Sequence, residues 1–400
     1  MRSYSPQTPW RLDPAVTFLN HGSFGACPVP VLERQRALTD ELEAQPVAFL
    51  STTIESRMAA ARDAMATFLN ADPEGLVFVP NATTGVSAVL RSLSFQPGDE
   101  LLTTNHEYNA TLNALAETAR VHGAQVVQAR LPVEITSDDE VIKAIMGAVT
   151  SRTRLALVSH ITSPTGTILP IERLVAALSD RGVDTLVDAA HSPGQVGVDV
   201  TALGAAYWTG NGHKWLCGPK GSAMLHVRAD RRARIRPLTI SHGWNDLRPD
   251  RPRLHREFDW TGTSDPAPLL ALPTAIEVVG GLHADGWSGV MAANHELAIR
   301  GRDAIVAALG VETRIPPELH GSMAIIILPI EPTDAAAQRL HAALQEEDRI
   351  EVPITPFPVP GARAAPGDDP SSVMVRISAQ RYNEPADYDR LAEALVRRLR

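Results

Sequence analysis

Short apolar runs alternate with longer stretches of mixed apolar and polar residues from about residue 75 onward. The apolar runs predict strands at residues 76–79, 100–104, 125–131, 155–159 and 185–188. The mixed stretches predict a helix that ends near residue 93 and further helices at residues 109–122, 138–149 and 171–181. Strands that alternate with helices indicate an α/β fold with a mostly parallel sheet covered on both faces. Because ligands of such sheets bind at the carboxyl ends of strands, candidate chemistry is expected just after each apolar run.

The pattern changes after about residue 260. Helices are predicted at residues 267–279, 334–347 and 384–399, and strands at residues 323–328 and 373–378. This part of the chain therefore predicts a smaller α+β domain at the C-terminus. Residues 355–372 are rich in Pro, Gly, Ala and Asp, and they predict a mobile loop.

Composition narrows the function classes. The chain has 400 residues, of which 44% are hydrophobic and 21% charged, and this is typical of a globular protein. A net charge of −9 argues against a nucleic-acid partner. No run of 18 apolar residues occurs, so no membrane span is expected. Two cysteines give no disulfide framework, and residues 1–6 do not resemble a signal peptide, so a cytoplasmic location is predicted.

The stretch YWTGNGHKW at residues 207–215 carries the strongest local signal for chemistry. Of the three lysines in the chain, only Lys214 sits among both glycines and aromatic residues. An ammonium group loses solvation in an apolar site, so its pKa falls and the amine becomes nucleophilic. A Schiff base requires such an amine. A lysine in an exposed turn is the alternative.

Asp188 ends a predicted strand, 26 residues before Lys214. A pyridoxal ring needs a carboxylate beside its nitrogen, so the aspartate and the lysine together fit that cofactor. An aspartate in a turn or a helix cap is the alternative.

Two further motifs suit anions. The stretch NATTG at residues 81–85 lies between a strand and a helix, where backbone amides and hydroxyls form an anion site or an ordinary helix cap. Arg376 lies inside a predicted strand, where an unpaired charge is unfavourable. A substrate carboxylate or a structural salt bridge would satisfy it.

Five motifs in order resemble the class V aminotransferase family of fold-type I enzymes that use pyridoxal 5'-phosphate (PLP), and within it the isopenicillin N epimerase-like group. They are FLNHGSFG (18–25), NATTG (81–85), VDAAH (187–191), GHKW (212–215) and RIS (376–378). The resemblance implies a large PLP-binding domain with a mostly parallel, seven-stranded type of sheet at residues 31–270, and a small α+β domain at residues 271–400. Residues 1–30 would contribute to the active site and to the small domain.

The resemblance also implies roles for individual residues. Lys214 would form the Schiff base and move the Cα proton, while Asp188 would face the pyridine nitrogen. The other implied cofactor contacts are His191 at the phenolic oxygen, Thr83, Thr84 and His213 at the phosphate, Tyr108 stacked on the ring, Ser163 nearby, and Thr263 reaching the phosphate of a partner subunit. Arg376 and His21 would bind the substrate. The role of Thr263 implies a homodimer with its active site at the subunit interface.

The reaction is less constrained than the cofactor. The leading hypothesis is a C–S β-lyase that acts on an S-substituted cysteine conjugate, because His21 is more similar to lyase-type members of the family. An amino-acid epimerase, decarboxylation or transamination, and a non-catalytic PLP-fold binding protein are the alternatives. The intact Lys214 and Asp188 argue against the last. Cysteine desulfurases of this class need a cysteine in the loop at residues 355–372, and this loop has none.

Nine arginines fall between residues 228 and 256. A solvated, salt-bridged surface is the favoured interpretation, because the chain as a whole is acidic. An entrance lined with positive charge for an anionic or polyhydroxylated substrate is the alternative.

Overall fold

The computed structural model describes residues 9–363 and 369–399. In chain order its strands are β1 (Thr17–Phe18), β2 (Leu76–Val79), β3 (Glu100–Thr104), β4 (Gln125–Ala129), β5 (Thr153–Ser159), β6 (Asp184–Asp188), β7 (Tyr207–Asn211), β8 (Ala223–Val227), β9 (Met323–Leu328), β10 (Ile350–Glu351), β11 (Ile354–Phe357) and β12 (Ser372–Ser378). The residues used to judge a signal peptide lie outside this range.

The helices connect and cover these strands. They are α1 (His21–Phe24), α2 (Val29–Ala44), α3 (Pro46–Ala48), α4 (Ile54–Leu69), α5 (Ala82–Ser92), α6 (Asn109–His122), α7 (Asp138–Gly147), α8 (Ile171–Ser179), α9 (Val200–Leu203), α10 (Arg253–Phe258), α11 (Ala267–Leu270), α12 (Leu272–Gly280), α13 (Gly286–Leu309), α14 (Asp334–Glu346) and α15 (Pro385–Leu399). Within the described ranges, no helix combines the length and apolar character needed to cross a membrane.

A seven-stranded sheet forms the centre of the larger part of the molecule. Its strand order is β2-β8-β7-β6-β5-β3-β4. Only β8 runs against its neighbours, so the predicted α/β fold with a mostly parallel sheet is confirmed. The carboxyl ends of β3, β5, β6 and β7 therefore meet at one edge of the sheet, which is where ligands bind in this class.

Several predicted elements needed correction. The strand expected at residues 125–131 stops at Ala129, and the N–H of Leu131 bonds instead to the side chain of Asn105 at 2.8 Å. The helix expected at residues 267–279 is split into α11 and α12, because Pro273 near the start of α12 has no N–H to continue the ladder.

The predicted loop at residues 355–372 is wrong for its first part. Residues 355–357 belong to β11, which pairs antiparallel with β12 and buries Phe357. Apolar burial thus overrides the loop-like composition at this point. Residues 364–368 of the predicted loop lie outside the described residues.

The C-terminal part contains a second sheet, with the order β11-β12-β9. Its apolar core includes residues of α13, α14 and α15, together with Leu19 from the start of the chain. β1 pairs in parallel with β10, through Thr17 with Ile350 and Phe18 with Glu351. The N-terminal segment is therefore packed with the C-terminal part, while the boundaries at residues 30 and 270 stay a prediction.

Most of the arginines between residues 228 and 256 form ion pairs. Arg231 contacts Asp184 at 2.7 Å, and Arg253 contacts Glu257 at the same distance. Arg248 binds Glu55, also at 2.7 Å. These pairs support the salt-bridged surface rather than a free positive entrance.

Candidate active site

A cavity of about 630 Å³ opens at the carboxyl ends of the central strands. Most of the predicted site residues line it: Thr83, Thr84, Tyr108, Ser163, Asp188, His191, His213, Lys214 and Arg376. They come from segments that are far apart in sequence, so the fold itself assembles the cavity. Two predicted residues, His21 and Thr263, are not among its lining residues.

The start of α5 faces this cavity and is suited to an anion. Asn81 caps the helix, since its Oδ1 accepts the N–H of Thr84 at 2.9 Å. Gly85 lets the helix approach β7, because an added Cβ would lie 2.2 Å from Oγ1 of Thr209. The positive end of the helix dipole lies at the cavity, which Thr83 and Thr84 line, and the hydroxyl of Thr84 also donates to Oδ1 of Asn81 at 3.0 Å. The helix cap and the anion site, which the sequence allowed as alternatives, are compatible.

Asp188 lies at the end of β6 and is buried. Its Oδ1 accepts the N–H of Ala190 at 3.0 Å, and its Oδ2 accepts the hydroxyl of Thr111 at 3.2 Å. Burial raises the pKa of Asp188, while the hydrogen bond from Ala190 and the charge of Lys214 act in the opposite direction. A cation at the cavity wall would stabilise the ionised carboxylate.

Lys214 follows β7, and its Nζ lies 2.9 Å from Nε2 of His191. Burial lowers the pKa of Lys214 to about 7, and the charge of Arg376 adds to this effect. Trp215 donates its indole N–H to Nδ1 of His191 at 3.3 Å. A neutral His191 therefore carries its proton on Nε2 and donates a hydrogen bond to Nζ of Lys214. Nζ accepts this hydrogen bond as a neutral amine.

Arg376 on β12 is buried without a carboxylate partner among the described residues. Its guanidinium donates to the carbonyl of Ser163 and, at 3.2 Å, to the hydroxyl of Ser23. Its Nε has no hydrogen-bond partner. Burial lowers the pKa of Arg376 to about 10, so the group is still charged at neutral pH. The structural salt bridge that the sequence allowed is thus not formed, and the fork can accept a ligand carboxylate.

His21 is fully buried behind Lys214, so its placement does not support the predicted substrate contact. Its Nε2 lies 3.1 Å from the carbonyl oxygen of Lys214, and its Nδ1 lies 2.8 Å from the hydroxyl of Tyr382. Burial lowers the pKa of His21 to about 3, so the ring is neutral. Because the carbonyl can only accept, Nε2 carries the proton and the ring holds the backbone of Lys214.

Thr263 is exposed at the surface and lies outside the cavity. A role for it at this site would need a second chain, so its contact with a partner stays a prediction.

Several polar residues at the cavity wall were not predicted from the sequence. Asn211 accepts the N–H of Ala82 at 2.9 Å and so ties the start of α5 to β7. Ser159 lines the cavity at the end of β5, and Glu107 lies against it. The signal for Ser159 was its position directly after an apolar run, which is the same signal that drew attention to Asp188.

Together these features define a class of enzyme. The residues could hold PLP: Lys214 offers a neutral amine to its aldehyde, and the buried Asp188 offers a carboxylate to its ring nitrogen. The start of α5 offers an anion site to its phosphate, and Arg376 with its unpartnered Nε remains for a substrate carboxylate. A fold-type I PLP-dependent enzyme has these requirements, and the sheet is of that type.

Comparison with known proteins gives the family. The model for aminotransferase class V matches residues 26–391, so the chain belongs to the class V aminotransferase family, whose members are PLP-dependent enzymes. The isopenicillin N epimerase of Amycolatopsis lactamdurans is 37% identical over 401 residues, which cover 96% of this chain and 95% of that protein. A probable chloroplastic L-cysteine desulfhydrase of Arabidopsis thaliana is 31% identical over 407 residues, covering 96% and 83%.

Solved structures agree on the fold. The cysteine desulfurase CsdA of Escherichia coli matches 99% of this chain and 98% of its own, with a TM-score of 0.79 and 21% identity. At this identity the match establishes the shared fold and not a shared reaction.

Proposed function

We propose that this enzyme is a C–S β-lyase that cleaves S-substituted cysteine conjugates. The observation that carries the proposal is the clustering of basic groups on one side of the cavity. Lys214 has a pKa of about 7, and His191 lies 2.9 Å from its amine. β-Elimination needs one base at Cα, and Lys214 supplies it.

The proposed division of labour follows from the placement of each side chain. Bound PLP withdraws electrons from the Cα of an attached amino acid. Lys214 removes the Cα proton, and His191 holds the amine in position. Asp188 keeps a proton on the ring nitrogen, and Arg376 binds the substrate carboxylate. Thr83, Thr84 and His213 hold the phosphate, Tyr108 stacks on the ring, and Ser163 fixes the guanidinium of Arg376 through its carbonyl.

The sulfur is expected to leave as a free thiol. The Cβ–S bond would break with its electron pair on sulfur, and the sulfur would take up the proton that Lys214 removed from Cα. The remaining enamine would take up water to give pyruvate and ammonia. The two cysteines of the chain, Cys27 and Cys217, are unpaired and do not line the cavity. Burial raises the pKa of both thiols, so neither is suited to take up the sulfur. The unpaired thiols also fit the predicted cytoplasmic location. The desulfhydrase relative of Arabidopsis thaliana supports release of sulfur.

Amino-acid epimerisation is the second candidate function, and the position of Tyr108 favours it. Epimerisation needs an acid on the face of Cα opposite Lys214. Tyr108 follows β3, three strands away from β7 in the sheet. It is 48% exposed and is among the residues that line the cavity. The epimerase relative of Amycolatopsis lactamdurans supports this alternative.

Tyr108→Phe distinguishes the two reactions. The enzyme and the variant would be incubated in deuterated water with S-substituted cysteines and with L-amino acids that lack sulfur. For a lyase we expect pyruvate, ammonia and thiol, and turnover in the variant within about tenfold of the wild type, because the ring remains for stacking. An epimerase would lose about 10²–10⁴-fold with its second acid. Formation of the deuterated D-isomer without pyruvate would contradict the lyase proposal and support the epimerase.

We also propose that the enzyme is a homodimer. Leu238, Ile240, Trp244 and Leu247 form an exposed apolar segment, with Leu247 88% exposed. We expect a second copy that covers this segment to have its cavity within reach of Thr263 of the first copy.

Trp244→Asp is expected to convert the dimer to a monomer and to weaken PLP binding, because a charge would be buried at the interface. Sedimentation velocity measures the first effect and cofactor titration the second. Val121→Asp is the control, since Val121 is also an exposed apolar residue but lies on α6. A wild-type enzyme that sediments as a monomer would contradict the proposal.

A further inference from the structure

A second carboxylate is buried close to Asp188. Glu107 follows β3 and has no exposed surface. Its Oε1 accepts the N–H of Ser159 at 2.8 Å and lies 3.3 Å from the hydroxyl of Thr104. Its Oε2 lies 2.6 Å from the hydroxyl of Ser159. No cation among the described residues forms an ion pair with it, and the hydrogen bonds from Ser159 and Thr104 offset only part of the cost of burying a charge.

The sheet fixes the relation between the two carboxylates. Ser159 ends β5 and is directly paired with Asp188 at the end of β6. Strand β5, which ends at Ser159, therefore lies between Glu107 and Asp188. Ser159 is a hydrogen-bond partner of Glu107 and also lines the cavity. Two ionised carboxylates separated by one strand in a buried cavity wall would destabilise each other.

The other titratable groups near Glu107 do not offset the repulsion between the two carboxylates. His106 and His160 are buried beside Glu107 and Ser159, and burial lowers the pKa of each to about 4, so both are neutral. Lys214 is the basic group that faces Asp188, and it forms no ion pair with Glu107. Burial, with the charge of Asp188, raises the pKa of Glu107 to about 8.

We propose that Glu107 is protonated in the folded enzyme at neutral pH and donates its hydrogen to Oγ of Ser159, so that Asp188 is the single ionised carboxylate at the ring nitrogen of PLP. The geometry fits this proton position, because Oε1 accepts two hydrogen bonds while Oε2 lies close to a hydroxyl that can accept one. Glu107 is then a positioning residue that acts through Ser159 and Asp188. The inference rests on the proposed role of Asp188 but not on whether the reaction is elimination or epimerisation.

The first test reads the proton directly. Difference infrared spectra of holoenzyme at pH 7, wild type minus Glu107→Gln, should contain the carbonyl band of a protonated carboxylic acid. Glutamine keeps the shape and can donate to Ser159, so the variant should fold. Glu134→Gln is the matched control, because Glu134 is also buried but forms an ion pair with Arg314 at 3.2 Å and should give no such band. Absence of the band in the Glu107 difference spectrum would overturn the proposal.

The second test uses the pH dependence of stability. A carboxyl group whose pKa is raised from 4.5 to about 8 on folding binds an extra proton in the folded state between these values. Its contribution is fully present at or below the lower value and is lost as the pH rises to the upper one. Glu107→Gln should therefore match the wild type in unfolding midpoint near pH 5 and exceed it near pH 9. Equal loss of stability in both proteins between these pH values would contradict the inference.

The third test concerns the coupling to Asp188. In an Asp188→Asn background the charge that faces Glu107 is absent, so the acid band should titrate at lower pH than in the wild type. The same titration in both backgrounds would show that the two carboxyl groups are independent. None of the three measurements requires turnover, so their outcome is separate from that of the lyase assay.

Discussion

Replacing Lys214 with alanine is expected to abolish turnover and the absorbance band near ~420 nm that a lysine-bound PLP produces. The structure places this amine in a buried wall, bonded to a neutral His191 and close to the charge of Arg376, and its pKa is lowered to about 7, so that the unprotonated amine is available at neutral pH. No second lysine lines the cavity among the described residues. Absorbance spectra and turnover assays of the variant measure both effects.

Lys143→Ala is the control for this prediction, because Lys143 lies exposed on α7 and should be replaceable without effect on either measurement. Borohydride reduction followed by peptide mapping gives the opposing outcome. Cofactor fixed to another lysine in the Lys214→Ala protein would show that the amine was assigned wrongly.

Asp188→Asn is expected to retain PLP and to slow removal of the Cα proton by about 10²–10³-fold or more. Asparagine can still accept the N–H of Ala190 and contact Thr111, so the local structure should persist. What it lacks is the negative charge that keeps the ring nitrogen protonated. Exchange of the Cα hydrogen in deuterated water measures the step directly.

Asp184→Asn provides the matched control, because it lies at the other end of the same strand and pairs with Arg231 at the surface. It should leave the exchange rate unchanged. An Asp188→Asn protein that exchanges at the wild-type rate would mean that the cofactor ring lies elsewhere.

Much of the central sheet could be predicted from sequence because its strands follow local apolar patterns. Lys214, Asp188 and Arg376 were singled out by their local sequence, whereas most of the other cofactor contacts were implied by the family resemblance. β3, β6 and β9 coincide with apolar runs or nearly so, Asp188 is the last residue of β6, and Lys214 follows the end of β7 by three residues. β7 was not predicted, although its five residues are all buried. It contains a glycine and an asparagine, which are rare in strands, and the buried setting decides its structure.

Other parts depend on contacts between distant residues. Nothing near His21 in sequence indicates that it is covered by Tyr382 and bonded to Lys214, and the substrate contact expected of it came from the family resemblance alone. Glu107 is a similar case, since a glutamate between a histidine and a tyrosine is ordinarily exposed. Only the pairing of β5 with β6 and the position of Ser159 reveal its burial.

The pairing of β1 with β10 has a consequence for how the chain matures during translation. Residues 17–18 are synthesised well before their partners at residues 350–351. Trp10 likewise precedes Tyr382, which contacts it edge-on at 5.2 Å. Apolar residues of this segment therefore stay uncovered while the intervening chain is made, which is a condition under which chaperones bind and chains aggregate. Arg376 is made after residues 350–351, so the cavity gains its guanidinium only once this later part of the chain has been synthesised.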